Sequence, residues 1–210
     1  MKIIQPTFQV FPDLSGESAL RKVERIARTC YKSEDKIEPD SAKKIVRALI
    51  RGQHFAMLEH VSLSVQFITQ RSFTHELVRH RLCAFAQESQ RYCAYEGEKF
   101  GGEVVFVAPS LLPEDSPAYR QWAQACAAAE QAYFALRAQG VKPEVAREVL
   151  PNSVKTEIWV TANLREWRHI LALRALGTTG KPDPRMLELM PGLLKELQRV
   201  YPVFFDDLNA

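Results

Sequence analysis

The chain has 210 residues, 46% of them hydrophobic and 25% charged, with a formal net charge of +3. That length supports one packed domain with a substantial core, and the composition is that of an ordinary globular protein rather than a disordered or fibrous one. A surplus of three positive charges is too small to mark a nucleic-acid surface, but the arginines are clustered, which points to local anion binding.

The opening MKIIQPTFQVF carries one lysine and no apolar run of signal-peptide type, and residues 3–10 read as an apolar strand. Ser15 is placed to cap a helix with the stripe Leu20, Val23, Ala27, Cys30. A second helix fits Asp40 to Arg51, with Ile45, Val46 and Leu49 inward and Gly52 at its end. From Val61 to Phe67 apolar and polar residues alternate, the period of a half-buried strand. A short helix is expected around Ser72–Arg81 and a strand over 102–108. Ser116-Pro117 opens a long helix that Gly140 closes, with Tyr119, Trp122, Cys126, Ala129, Tyr133 and Leu136 as its stripe. Pro143–Val149 reads as a short helix stopped by Pro151, and Val154–Ala162 as another alternating strand. Asn163 with Glu166 forms a capping box for a helix running to about Leu176. The tail from Pro184 is amphipathic helix interrupted at Pro191-Gly192. The pattern predicts the α/β (α+β) class: a small mixed or antiparallel sheet flanked by helices, one domain over residues 1–210.

No GxGxxG or GxxxxGK[ST] occurs, so neither a Rossmann nor a P-loop site is indicated. No apolar stretch reaches membrane-spanning length. The cysteines Cys30, Cys83, Cys93 and Cys126 form no CxxC pair and no zinc spacing, which predicts free thiols and a cytoplasmic protein. All five histidines lie in segments that also hold Arg71, Arg79, Arg81, Arg91, Arg165 and Arg174. The densest stretch is THELVRHRLCAFAQESQRY, residues 74–92. Guanidinium is permanently charged and forked, and suits phosphate and uracil-type carbonyls. The competing reading of that stretch is a solvated basic helix face. Glu166 and His169 make an ExxH, but di-iron bundles need it twice, and Arg79 and Arg81 oppose a cation near Glu76 and His80, so no metal is expected. Cys83 and Cys93 lie near cations able to lower a thiol pKa, against the commoner role of buried structural cysteine.

Arg79-His80-Arg81, seven residues, then Ser89 and Gln90-Arg91-Tyr92 resemble the RHRx7S signature of flavin-dependent thymidylate synthases. ARTCYKS (27–33), GQHFAMLEH (52–60) and AREVLPNSVKTEIWVTANLREWRHILALR (146–174) are similar to segments of that family in the same order. The resemblance implies a homotetramer with active sites formed between subunits. It implies FAD, dUMP and methylenetetrahydrofolate as ligands, with NADPH reducing the flavin. Carried over by position, Glu76, Arg79, Gln87, Glu88, Ser89, Gln90, Arg91, Arg147 and Arg174 match nucleotide-binding places. His54, Ala56, Arg79, His80, Arg81, Gln87, Asn163, Arg165 and His169 match flavin-contacting ones. The family gives Arg174 the activating role, electrostatic stabilisation of charge on the uracil ring without a covalent bond to protein. Ser89 is then a positioning group. The stretch 175–187 departs most from the family's pattern. Two other readings make different predictions. A pyrimidine-nucleotide hydroxymethylase on the same scaffold differs in product mass. An anion- or RNA-binding module would show steep salt dependence.

Overall fold

The computed structural model of the chain describes residues 1–97 and 101–209. The strands are β1 (Lys2–Ile4), β2 (Thr7–Pro12), β3 (Ser62–Gln70), β4 (Ala84–Gln87), β5 (Val105–Val107) and β6 (Lys155–Asn163). The helices are α1 (Gly16–Thr29), α2 (Ser41–Arg51), α3 (Arg71–Leu77), α4 (Pro117–Ala138), α5 (Pro143–Ala146), α6 (Leu164–Arg174), α7 (Pro184–Leu187) and α8 (Met190–Val200). Single 3-10 turns occupy Glu34–Lys36, Phe55–His60 and Arg147–Val149. β1 pairs in parallel with β5, and four further strands form a sheet in the order β2-β3-β6-β4. This is the mixed α/β architecture expected.

Contacts divide the chain into two compact units, each assembled from three separate stretches. The first comprises Met1–Thr7, Phe67–Arg79 and Ala86–Ile158. Its core gathers Tyr95, Val104, Phe106, Cys126, Tyr133, Ala146 and Val154, with Trp122 and Leu150 packed against them. α4 starts as expected: the Ser116 hydroxyl accepts from the Tyr119 N–H at 3.0 Å, and Pro117 fills the first turn where its missing N–H costs nothing. Of its predicted stripe only Cys126 and Tyr133 are buried, because a helix covering a small core needs few deep residues.

The second unit comprises Phe8–Gln66, His80–Phe85 and Trp159–Ala210. α1 packs on α2, and α6 packs on the Phe55–His60 turn and on α8. Ser15 caps α1 by accepting from Ser18 N–H, and the buried face is Ala19, Leu20, Val23, Ala27, while Cys30 is exposed just beyond the helix end. In α2 the buried positions are Ala42, Val46 and Ile50, a stripe of strict i, i+4 spacing that moves Ile45 and Leu49 to its margin. Trp167 is wholly buried, and its indole N–H donates to the Leu63 carbonyl at 3.2 Å, so α6 is locked to β3 by both area and a hydrogen bond. Gly16 is required by close approach: a Cβ there would lie 2.5 Å from the Val200 carbonyl oxygen.

Three expected boundaries differ. The opening strand is split into β1 and β2 around Pro6, which has no N–H to give a ladder. The helix expected over 72–81 ends at Leu77, so Arg79, His80 and Arg81 stand outside it. Pro191-Gly192 does not break the tail: the interruption falls at Glu188–Leu189, and Pro191 sits in the first turn of α8 where helices accept it.

Candidate active site

Alternation in β3 buries Val61, Leu63, Val65 and Phe67 and so fixes the other face and the turn that follows. In the first unit that turn brings Thr74 to Gln87. The Gln87 amide nitrogen donates to Thr74 Oγ1 at 3.0 Å and to Thr156 Oγ1 at 3.1 Å. Thr74 spends its own hydroxyl hydrogen on the Arg71 carbonyl at 3.0 Å, so it can only accept from Gln87, and this fixes which way the amide faces. Glu88 is held by Lys155 Nζ at 3.0 Å, and Lys155 also bonds Glu157. Ser89 Oγ accepts from the Arg91 N–H at 3.2 Å, a local turn that orders the chain after the signature. The Arg91 guanidinium lies 5.3 Å from the Tyr92 ring centroid.

Gln90 is buried, and burial pushes the pKa of the Tyr95 hydroxyl up to about 12. Gln90 Nε2 and Arg71 Nη1 are buried N–H donors without an acceptor among the described residues. Buried donors of that kind call for an explanation, and an oxyanion is one that suits both. Arg147 donates from Nε to the Glu144 carbonyl at 3.1 Å, the helix-end role its position also allowed. Glu76 and Arg79 belong to this unit too, on and just after α3.

The second unit holds His54, Ala56, His80, Arg81, Asn163, Arg165, His169 and Arg174. Asn163 caps α6, its Oδ1 accepting from the Glu166 N–H at 2.9 Å. Arg165 and His169 follow one turn apart, and with Asn163 they line a cavity of about 690 Å³. Phe55, Leu82, Ala172 and Leu208 supply its apolar wall, and Glu59, Glu166 and Arg168 the rest of its polar lining. Arg165 pairs with Glu59. A pocket of this size, with four apolar residues facing six polar or charged ones, fits a flat heteroaromatic ligand that carries polar edges. His54 and Ala56 are exposed at the start of the Phe55–His60 turn, and Arg81 is exposed beside His80.

His80 is buried and lies between three groups. Arg174 Nε donates to His80 Nε2 at 3.1 Å, Glu166 Oε1 stands 3.5 Å from Nδ1, and the His169 ring meets it edge-on at 5.8 Å. Burial first, then the Arg174 guanidinium and His169, bring its pKa down to about 4. The imidazole is therefore neutral at pH 7, and its contact with Glu166 is not an ion pair. Because the Arg174 N–H is always present, His80 must accept at Nε2 and carry its proton on Nδ1, toward Glu166. Burial also raises the Glu166 carboxyl above its usual range.

The ligand atoms of His80, Glu166 and His169 lie within 4.8 Å of one another, a metal-sized cluster among the described residues. His80 Nε2 is already committed to the Arg174 guanidinium, whose fixed positive charge opposes a cation there. Cys83 does not fit the nucleophile reading: burial and Glu166 push its thiol up to about 12. Sequence reasoning did not single out Phe55, Glu59, Leu82, Arg168 or Leu208. Arg168 lies on the same helical turn as Arg165 and His169, a signal present in the spacing, whereas Leu208 gives none.

Residues 15–203 match the family model described as thymidylate synthase complementing protein. The chain belongs to that family. It is 36% identical over 218 residues to the flavin-dependent thymidylate synthase of Mycobacterium marinum, covering 94% of this chain and 82% of that protein. It is 35% identical over 217 residues to the one of Mycolicibacterium vanbaalenii, with the same coverage. The crystal structure of a UMP/dUMP methylase from Streptomyces cacaoi bound with 5-Br dUMP superposes with a TM-score of 0.81 at 24% identity, covering 98% of this chain and 96% of that one, which establishes the shared fold. The family match spans both units, from the Ser15 cap to Val203, so it takes in every arginine and histidine discussed above.

Proposed function

We propose that this protein is a flavin-dependent thymidylate synthase, converting dUMP to dTMP with methylenetetrahydrofolate as carbon donor and NADPH as reductant. The observation that carries the reading is the convergence of Asn163, Arg165 and His169, assigned to the flavin by family likeness, on one cavity of mixed apolar and polar lining. FAD bound there supplies the hydride, and the side chains supply position and field.

Glu76, Arg79, Gln87, Glu88, Ser89, Gln90, Arg91, Arg147 and Arg174 are the proposed nucleotide residues. His54, Ala56, Arg79, His80, Arg81, Gln87, Asn163, Arg165 and His169 are the proposed flavin residues. Gln87 has its N–H groups committed to two threonines, so it offers a ligand its carbonyl oxygen and would select a donor such as a ring imide or a sugar hydroxyl. The buried donors of Arg71 and Gln90 make the neighbouring wall suited to phosphate. Neutral His80 takes one N–H of Arg174 and holds that guanidinium in a fixed orientation. A preset positive charge of this kind costs no reorganisation as negative charge builds on the uracil ring. No protein thiolate is needed, in keeping with a Cys83 thiol that stays protonated at neutral pH.

The family's assembly extends to this chain as a cytoplasmic homotetramer with shared sites, each chain acting as one domain over residues 1–210. The chain passes back and forth between its two units, so neither is a contiguous segment that could be cut away intact. The test is an absorbance spectrum of purified protein followed by tritium release from dUMP labelled at carbon 5. Yellow protein and release dependent on folate and NADPH are expected; colourless protein that takes up no added FAD would overturn the reading. Arg174→Ala is expected to keep the flavin and lose release, and unchanged release would remove Arg174 from its role.

A further inference from the structure

Arg168 lies on α6 between Arg165 and His169, and it is 7% exposed. Burying a guanidinium is costly unless its N–H groups find acceptors. Here Nη1 and Nη2 grip the two carboxylate oxygens of Asp207 at 2.7 and 2.6 Å, and Nη1 also donates to the Phe204 carbonyl. One face of the same group lies 5.3 Å from the Phe55 ring centroid. Phe55, Arg168 and Leu208 all line the 690 Å³ cavity.

The segment Tyr201–Leu208 that Arg168 grips has a shape the chain would not adopt unaided. Val203 is β-branched yet has φ +78, a conformation held only where the surroundings over-determine it. Tyr201 Oη donates to the Leu14 carbonyl at 2.9 Å. Gln198 Nε2 donates to the carbonyls of Phe205 at 3.2 Å and Leu208 at 2.9 Å. Phe204 and Phe205 are fully buried and already anchor the segment to the core. The Asp207 side chain is 47% exposed, so its bond to Arg168 adds little core. That bond works with the Gln198 donation to the Leu208 carbonyl in setting where Leu208, the next residue, stands.

We infer that Arg168 is a positioning residue for the flavin, holding Phe55 with its face and Leu208 through Asp207 as apolar walls of the cavity. This rests on the flavin reading of that cavity. Arg168 itself contributes no chemistry to the reaction; it keeps two hydrophobic surfaces at the spacing a planar ring requires.

The experiment compares wild type with Asp207→Asn, Asp207→Glu and Leu208→Ala, measuring FAD Kd by fluorescence quenching, the visible spectrum of the bound flavin, and the Tm of the FAD-free protein. Asp207→Asn removes a charge-assisted bidentate contact and is expected to weaken FAD about tenfold. Leu208→Ala is expected to weaken it about fivefold from lost apolar contact. Both should shift the flavin's absorption envelope; the FAD-free Tm should stay near wild type in Leu208→Ala and fall in Asp207→Asn, which leaves the buried Arg168 short of a charged acceptor, and Asp207→Glu should recover most of the affinity. Wild-type protein that binds FAD, with unaltered Kd and spectrum in Asp207→Asn and Leu208→Ala, would overturn the inference alone. Wild-type protein that takes up no FAD would sink the flavin reading and this inference together.

Discussion

His80 shows how burial converts a titratable residue into a fixed one. Its folded pKa of about 4 lies below the ordinary 6.5 because burial, then the positive charge of Arg174 and His169, disfavour the cation. Between those two pH values the unfolded chain binds more protons than the folded one, so stability rises with pH across that window and is lost as pH falls through it. In urea titrations from pH 4 to 7, His80→Gln is expected to flatten part of that dependence. Equal slopes for the two proteins would show that His80 is not held neutral. The same argument bears on activity: protonating His80 puts a positive charge against Arg174 and removes the acceptor that orients it. The residue types were legible in the sequence, since His and Arg are clustered there. The acceptor–donor order of the Arg174–His80–Glu166 chain was not, because it depends on residues 80, 166 and 174 meeting in space.

At the scale of elements, α6 performs two tasks that its sequence shows in superposition. Asn163 is a helix cap by its position before Leu164 and a cavity residue by its place at the end of β6. Asn163→Ser separates the roles, since serine keeps a capping oxygen but loses the amide. The Tm is expected to move little, because serine caps about as well as asparagine. FAD affinity is expected to fall roughly tenfold, the value of a lost polar contact in a desolvated site. A Tm drop with unchanged FAD affinity would reduce Asn163 to a cap alone. The alternation of β3 and β6 was readable directly, because a period of two has one burial solution on a half-buried sheet. The end of α3 at Leu77 was less readable. Arg79, His80 and Arg81 continue a helix-compatible run, and His80 being drawn into a buried cluster decides the break.

For the whole molecule, ligand linkage gives a direct measure. FAD at 100 times its Kd should stabilise the folded protein by about 2.7 kcal/mol, read as a rise in Tm that grows with FAD concentration. A Tm indifferent to FAD would contradict a specific folded-state site. Light scattering is expected to give a mass four times that of the 23.9 kDa chain. A monomer that nevertheless turns over dUMP would remove the shared-site assembly. Among the described residues no helix is long and apolar enough to cross a membrane, which agrees with the sequence's lack of a spanning stretch.

The sequence by itself determined most of the elements, though not strand β4 or the end of α3, together with the two alternating strands, the helix caps at Ser15, Ser116 and Asn163, and the family through its ordered motifs. These are local properties: periodicity, capping chemistry and residue type act within a few positions of chain. Only the tertiary structure decided that Thr74 turns the Gln87 amide, that burial raises Cys83 and lowers His80, and that Arg168 reaches Asp207 to set Leu208 in a cavity wall. Those outcomes depend on desolvation and on contacts between residues far apart in the chain, quantities that exist only once the chain has closed on itself.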